Sequence, residues 1–387
     1  VFVAGVARTM QLDDLERVEV VLGPQAVYFG RQTFAGAINY VSKKPTFDFD
    51  AHARLELAED DQYAISGGVS GPIVEDKLAF RLYARYDEDG GAFANTLDDF
   101  RVQTEETNAF SGSLTFKPIE NLEFTFRAQL TELIDGHNAS ALTSSSINNC
   151  LPNSGGVNQA FCGEIPIPDE IALNLTTLEY PGGRRSIDSE RYSLFAEYQF
   201  ASGITLTSTT AYNEGDQINS ADGDGLPAPV FNFTFETEHE DFTQQLILTS
   251  PQDRRLRWLA GAIYFDYERI ESSLTFPFSV PSTPNLVENT AVFGAIEYDF
   301  TDRLTVAFEG RYNIDDIELE GTGFSNRFET FLPRVVADFD INEDTMVYAL
   351  VAKGNQPGDF NDNPGVRPED EVVEGQTGLR TTEPGQV

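Results

Sequence analysis

Cys150 and Cys162 have eleven residues between them and are the only cysteines in the chain. Around them lie the turn formers Asn148, Asn149, Pro152, Asn153, Gly155 and Gly156. In an oxidising exterior such a pair is expected to form a disulfide and reduce the disorder of its loop. Two free thiols or a metal pair are the alternatives, and zinc is disfavoured because no histidine or further cysteine is near. Two oxygen-rich clusters, Asp222-Gly223-Asp224-Gly225 and Asp359, Asn361, Asp362, Asn363, carry the ligand type that hard cations prefer. Neither has the full twelve-residue calcium-loop pattern, so a solvated loop is the simpler reading. The run Asp315, Asp316, Glu318 and Glu320 reads as plain surface. His52, His137 and His239 are dispersed, and no metal or catalytic trio is expected from them. No nucleophile elbow, phosphate loop or dinucleotide fingerprint occurs. No enzyme activity, cofactor or metal site is therefore expected.

The charge balance narrows the partners. Lys and Arg number 26 against 63 Asp and Glu, a formal net charge of -37. Phosphate-backbone recognition needs basic patches, so nucleic acid is excluded as a partner. No stretch approaches the apolar length of a transmembrane helix, which excludes a helical membrane protein but not a barrel.

The elements that must carry these loops are strands. From residue 50 onward the dominant pattern is period-two alternation. Leu78, Phe80, Leu82, Ala84 and Tyr86 alternate with Ala79, Arg81, Tyr83, Arg85 and Asp87. Leu122, Phe124, Phe126, Ala128 and Leu130 alternate with Glu123, Thr125, Arg127, Gln129 and Thr131. Roughly thirteen or fourteen such segments follow one another, each apolar on one face and mostly polar on the other. Tight links such as Ala201-Ser202-Gly203 and Thr301-Asp302-Arg303 alternate with long polar stretches at 134–189, 215–236, 270–288, 315–327 and 354–371. Short turns on one rim and long loops on the other predict a transmembrane antiparallel β-barrel with long extracellular loops. Phe116, Tyr198, Phe200, Tyr298, Phe300 and Tyr348 lie near turns, where aromatic rings suit the headgroup level of a bilayer.

Residues 1–47 break that rhythm. A strand over Leu15–Val21 and another over Gly36–Ser42 are joined by a glycine-punctuated link from Gly23 to Arg31. Asp14-Leu15-Glu16-Arg17-Val18-Glu19-Val20, Gly23-Pro24-Gln25, Phe29-Gly30-Arg31, Gly36-Ala37-Ile38-Asn39 and Lys43-Lys44-Pro45 resemble the last plug segment of TonB-dependent outer-membrane receptors. Downstream, Leu332-Pro333-Arg334, Pro357-Gly358-Asp359-Phe360-Asn361 and Glu374-Gly375-Gln376-Thr377-Gly378-Leu379 resemble barrel motifs of the same family. Two positions depart from it: Ala4 stands where Asp is usual, and Leu22 where an Arg commonly precedes Gly-Pro.

The resemblance implies an all-β chain: an incomplete transmembrane barrel over residues 48–387 with a small α/β plug remnant over residues 1–47. The plug motif comprises Gly23, Pro24, Gln25, Gly30, Arg31, Gly36 and Asn39. Gly23 and Gly30 suit turn conformations barred to other residues, and Pro24 fixes one dihedral. Arg17, Arg31, Lys43 and Lys44 are expected to face lumenal acids such as Glu123, Glu197, Glu297, Asp299 and Glu309. Barrels that hold a plug have about 22 strands, so further strands are expected after residue 387. The first half of the plug and the segment that engages TonB are expected before Val1. The implied function is TonB-dependent active uptake across the outer membrane of a Gram-negative bacterium. Its partners would be the TonB complex, outer-membrane lipid and a scarce extracellular ligand, by default a ferric siderophore or another iron complex. The alternative is a passive porin or ligand-binding barrel without energy coupling. No ligand-contacting residue can be named from sequence.

Overall fold

The computed structural model describes residues 14–23, 27, 30, 36–59, 61–140, 148–152, 155–163, 171–228, 230–275, 278–280, 284–354, 359–361 and 380–382. Strands β1 (Leu15–Leu22) and β2 (Gly36–Ser42) pair antiparallel as a separate hairpin. Thirteen strands then run as a continuous antiparallel meander. They are β3 (Asp50–Leu57), β4 (Tyr63–Val74), β5 (Leu78–Asp89), β6 (Glu105–Ile119), β7 (Leu122–Asp135) and β8 (Arg184–Gln199). There follow β9 (Thr205–Asp222), β10 (Asn232–Thr249), β11 (Leu256–Thr275), β12 (Asn285–Thr301), β13 (Leu304–Leu319), β14 (Phe324–Asn342) and β15 (Thr345–Ala352). Each strand pairs with its neighbour in this order, and among the described residues β3 and β15 are the open edges.

The two faces of this sheet are chemically inverted relative to a water-soluble core. Across β6 to β8, Leu114, Phe126 and Leu194 stand opposite one another in register, and each is 43% exposed. On the other face of β12 and β13, Asn289, Arg311, Asn313 and Asp315 are at most 1% exposed. An apolar face turned outward and a polar face turned inward is the alternation of a barrel wall whose outer surface meets lipid.

The upper limit of that outer surface is marked by chemistry. Tyr192, Tyr212 and Phe242 form one cross-strand row. Two residues further from the short turns, Glu190, Glu214, Glu240 and Glu268 form the next row. Like charges directly opposite each other destabilise a sheet, so this row belongs in water or among headgroups. The Tyr192 and Tyr212 hydroxyls donate to Glu190 and Glu214, at 2.7 and 3.2 Å. Each ring thus lies toward the apolar band with its tip toward the acids, the posture of an interfacial aromatic. Near the opposite rim, Tyr198 packs edge-on against Phe200 and Tyr298 against Phe300. Tyr348 departs from expectation: it stands opposite Asp338 in the inward-facing row, and is exposed because β15 is an edge strand.

The strands outrun the sequence expectation at their far ends. The stretches 215–236 and 315–327 were expected to be long loops. Instead β9 continues to Asp222 and β10 resumes at Asn232, while only four residues separate β13 from β14. Beyond the aromatic row the outward face turns polar as well, so the apolar alternation fades while the backbone ladder goes on, and inward side chains such as Ile187, Val287 and Ile317 stay buried. Asp315, expected at the surface, lies in β13 on the inward face and is 1% exposed.

Candidate functional site

The hairpin β1–β2 is held against the inward face of the wall. At its base the Lys43 N–H donates to the Asp14 carbonyl at 3.0 Å. The Asp14 carboxylate receives a bidentate contact from Arg81 on β5, with Nε 3.2 Å from Oδ1 and 3.0 Å from Oδ2, and Nη2 also on Oδ1. Both residues are buried, Asp14 to 6% and Arg81 to 3% exposure. A planar guanidinium matched to a carboxylate gives a strong and geometrically specific contact. Two weaker attachments lie alongside: Lys44 Nζ is 3.2 Å from Glu123 of β7, and Arg127 of β7 donates to the Lys43 carbonyl.

The charge arrangement differs from the one expected. Of the five inward acids named from sequence, Glu123 alone takes a cation from residues 14–47 among the described residues. Glu297 and Asp299 are both held by Arg257 of the adjacent strand, and Glu309 by Arg334. Arg17 turns to Glu16 and Glu19 within its own hairpin. The principal ion pair has the opposite sense, an acid from the hairpin on an arginine of the wall.

Gly23 and Gly30 have φ of +78° and +77°, in the left-handed region that favours glycine. At Gly23 a Cβ would meet nothing within 4 Å, so backbone conformation rather than space requires the glycine. Gly36 pairs with Leu22 at the start of β2. Asn39 donates to Glu19 across the hairpin at 2.8 Å, and this bond together with Arg17 holds the Glu19 carboxyl below its ordinary range. Pro24, Gln25 and Arg31 lie outside the described residues, as do Ala4 and any helical part of the α/β expectation between 24 and 35 apart from Val27.

Val27 makes the second contact. It is 2% exposed and packs with Ile263 of β11 and with Ala291 and Phe293 of β12. Sequence reading missed this seat, although Phe293 on a mostly polar face was a usable signal.

Above the wall, the connections fold into a cap. Val102, Ile171, Leu173, Leu175 and Leu178 form a buried apolar cluster. The Asn95 amide acts as a strand partner for Leu173, accepting from its N–H and donating to its carbonyl, both at 2.9 Å. His137 is tied into the cap: its Nε2 accepts from the Asp222 N–H at 3.1 Å. The Asp222 carboxylate accepts from the N–H groups of Asp224, Gly225 and Asn174, at 3.0, 3.0 and 3.3 Å. Oδ1 thus organises the turn, and Oδ2 ties it to the segment around Asn174. His52 and His239 lie apart on β3 and β10. No group of three or more His, Cys, Asp or Glu residues able to hold a metal occurs among the described residues. Of the second oxygen-rich cluster, Asp359–Asn361 forms a short strand and the rest lies outside the described residues.

Cys150 and Cys162 are bonded to each other, with Cα atoms 5.5 Å apart, across a small hairpin of Cys150–Pro152 with Asn158–Ala160. The Asn149 side chain clamps Cys162, accepting from its N–H at 2.6 Å and donating to its carbonyl at 3.0 Å. Reduction, or Cys162→Ser, should cost this loop about 3 kcal/mol by the chain-entropy model. The expected result is faster protease cleavage between residues 141 and 170 with the wall intact. Unchanged cleavage would show that the Asn149 clamp alone holds the loop.

An antiparallel wall that is apolar outside and polar inside, with a segment anchored to its inner surface, defines a transmembrane β-barrel protein. The chain belongs to the TonB-dependent receptor β-barrel family: the family model described as "TonB dependent receptor-like, beta-barrel" matches residues 136–382. The ferrioxamine receptor of Yersinia enterocolitica is 30% identical over 128 residues, covering 33% of this chain and 17% of the relative. The ferrioxamine B receptor of Salmonella typhimurium is 29% identical over 153 residues, 39% of this chain and 20% of the relative. Among solved structures, the ferric preacinetobactin receptor BauA of Acinetobacter baumannii superposes with a TM-score of 0.73 at 14% identity, covering 97% of this chain and 57% of that one. The ferric yersiniabactin uptake receptor FyuA of Yersinia pestis gives 0.72 at 16% identity, with 96% and 56% covered. At these identities the structural likeness speaks for the fold alone. The chain spans little more than half the length of these solved receptors.

Proposed function

We propose that this chain is the inner part and adjoining wall of a receptor that imports a ferric siderophore across the outer membrane of a Gram-negative bacterium, driven by TonB. One observation carries the reading: a hairpin anchored on the inward face of a barrel wall by the buried Asp14–Arg81 pair. An open pore has no use for an inner segment, whereas a gated transporter needs one that is held firmly and can still be moved. Residues 1–47 are then the end of a plug, and residues 48–387 are barrel wall with extracellular connections. The ligand class follows the relatives, whose names include ferrioxamine and ferrioxamine B receptors. The cap built around Asn95, His137 and Asp222 would support the neighbouring loops that meet the ligand.

Radio-iron supplied as ferric ferrioxamine B to cells carrying the receptor gives the test. Uptake should fall to background when TonB is deleted, while binding at the cell surface persists. Uptake that continues without TonB would contradict the proposal.

A further inference from the structure

The cap joins three connections of the wall, and one imidazole ties two of them together. Residues 90–104 link β5 to β6, residues 136–183 link β7 to β8, and residues 223–231 link β9 to β10. The first two meet backbone to backbone. The Gln103 N–H donates to the His137 carbonyl and the Gly136 N–H to the Thr104 carbonyl, both at 2.8 Å. The third is held to the second through side chains. His137 takes the Asp222 N–H, and the Asp222 carboxylate takes the Asn174 N–H. The Asn174 side chain donates to the Pro227 carbonyl at 3.0 Å, and Asn232 donates to Thr177 Oγ1 at 3.1 Å. Of these groups, the imidazole is the one whose charge ordinarily changes between about pH 5 and about pH 8.

Its two partners dictate how many protons the ring carries. Nδ1 lies 2.7 Å from the Asn138 carbonyl, which can only accept, so Nδ1 bears a hydrogen. Nε2 faces the Asp222 N–H, which can only donate, so Nε2 is bare. The closed cap therefore holds the neutral ring. A second proton would set one N–H against another at a site where His137 is 5% exposed. The ring is also pressed on the backbone of Gly183, where φ is +73° and a Cβ would stand 2.9 Å from His137 Cδ2. The charged groups of the packed elements are engaged elsewhere. Asp222 accepts from backbone N–H groups, and Asp224 accepts from the Leu226 N–H at 2.8 Å. Asp135 pairs with Arg185 at 3.7 Å, Glu105 stands opposite Asp135, and Arg184 lies over the Tyr180 ring.

We propose that His137 is an acid-release latch in the cap: the neutral ring holds the β9–β10 connection to the β7–β8 connection, and a proton on Nε2 lets it go. The open cap binds one proton more than the closed cap. Closure is therefore strongest at high pH and weakens as pH falls, by at most about tenfold per pH unit. The latch depends on the cap alone and holds whether or not transport needs TonB.

Hydrogen exchange of the receptor in lipid vesicles, corrected for the intrinsic pH dependence of exchange, reads the latch at the Asp222 amide. From about pH 8 to about pH 5 its protection should fall, on the order of tenfold per unit once the ring titrates. The Gln103 amide, which donates to the His137 carbonyl and not to its ring, should stay protected, as should the amides of β6 and β7. His137→Gln keeps an acceptor that does not titrate, and should make Asp222 protection independent of pH. His137→Phe keeps a ring without an acceptor, and should leave Asp222 poorly protected at every pH while Gln103 stays protected. Asp222 protection that stays level or rises in acid overturns the latch. A fall of the same size in His137→Gln also overturns it, since Asp222, Asp224, Asp135 or Glu105 would then be the titrating group. A loss shared by Gln103 and the β6 and β7 amides overturns it as well, because that is unfolding at large.

Discussion

Replacing Arg81 by methionine should detach the hairpin from the wall. The Asp14 carboxylate would remain at a site where it is 6% exposed, without its bidentate partner and with only the charge of Arg127 nearby. Removing one partner of a buried ion pair costs about 3–5 kcal/mol, because the other charge stays desolvated. The wall itself should persist, since its strands are joined by backbone ladders that Arg81 does not supply. Hydrogen exchange provides the measurement. Amides of β1 and β2 should lose protection while those of β6 and β7 keep theirs. Replacing both partners, Asp14→Leu with Arg81→Met, should restore much of the protection, because two apolar groups leave no charge behind. Arg81→Lys should fall between the extremes, since an ammonium cannot reproduce the bidentate contact. Unaltered exchange in Arg81→Met would mean that Val27 and the residues around it carry the attachment.

Leu194→Arg is the second substitution with a large expected effect. Leu194 lies on the outward face between the Tyr192 row and the Tyr198–Phe200 rim, and is 43% exposed. In a water-soluble sheet an arginine at so exposed a position changes stability within about 0.5 kcal/mol. At the midplane of a bilayer-facing band it costs about 2–4 kcal/mol, falling toward the interfaces, and Leu194 lies inside that band, two residues from the Tyr192 row. Folding into lipid vesicles should therefore be strongly impaired. Thr125→Ser, on the inward face of β7, should fold normally in the same assay. An arginine tolerated at Leu194 would argue that the exposed apolar face meets another protein surface and not lipid.

What sequence made legible follows from what is periodic. The wall strands were readable because lipid on one side and the lumen on the other impose a two-residue repeat, as in Leu122 to Thr131. Where the outward face turns polar, beyond the aromatic row, the apolar repeat weakens, and the outer ends of β9, β10, β13 and β14 were taken for loops. Asp315 was misplaced for the same reason: a run of acids looks like surface until the strand register assigns every second one to the lumen. The glycines of the hairpin were legible because positive φ restricts residue type. The Asp14–Arg81 pair was not, since it joins positions 67 residues apart by geometry that no local pattern encodes. The in-wall pairs of Arg257 and Arg334 likewise depend on which strands are neighbours and in what register.

The central claim is that lipid touches alternate residues of these strands. A cysteine scan of β7 from Phe124 to Leu130, with spin labels read against an apolar and a polar relaxing agent in reconstituted membranes, tests it most directly. Labels at Phe124, Phe126, Ala128 and Leu130 should respond to the apolar agent, and those at Thr125, Arg127 and Gln129 should not. A response without that two-residue period, or one centred on the second set, would contradict the account.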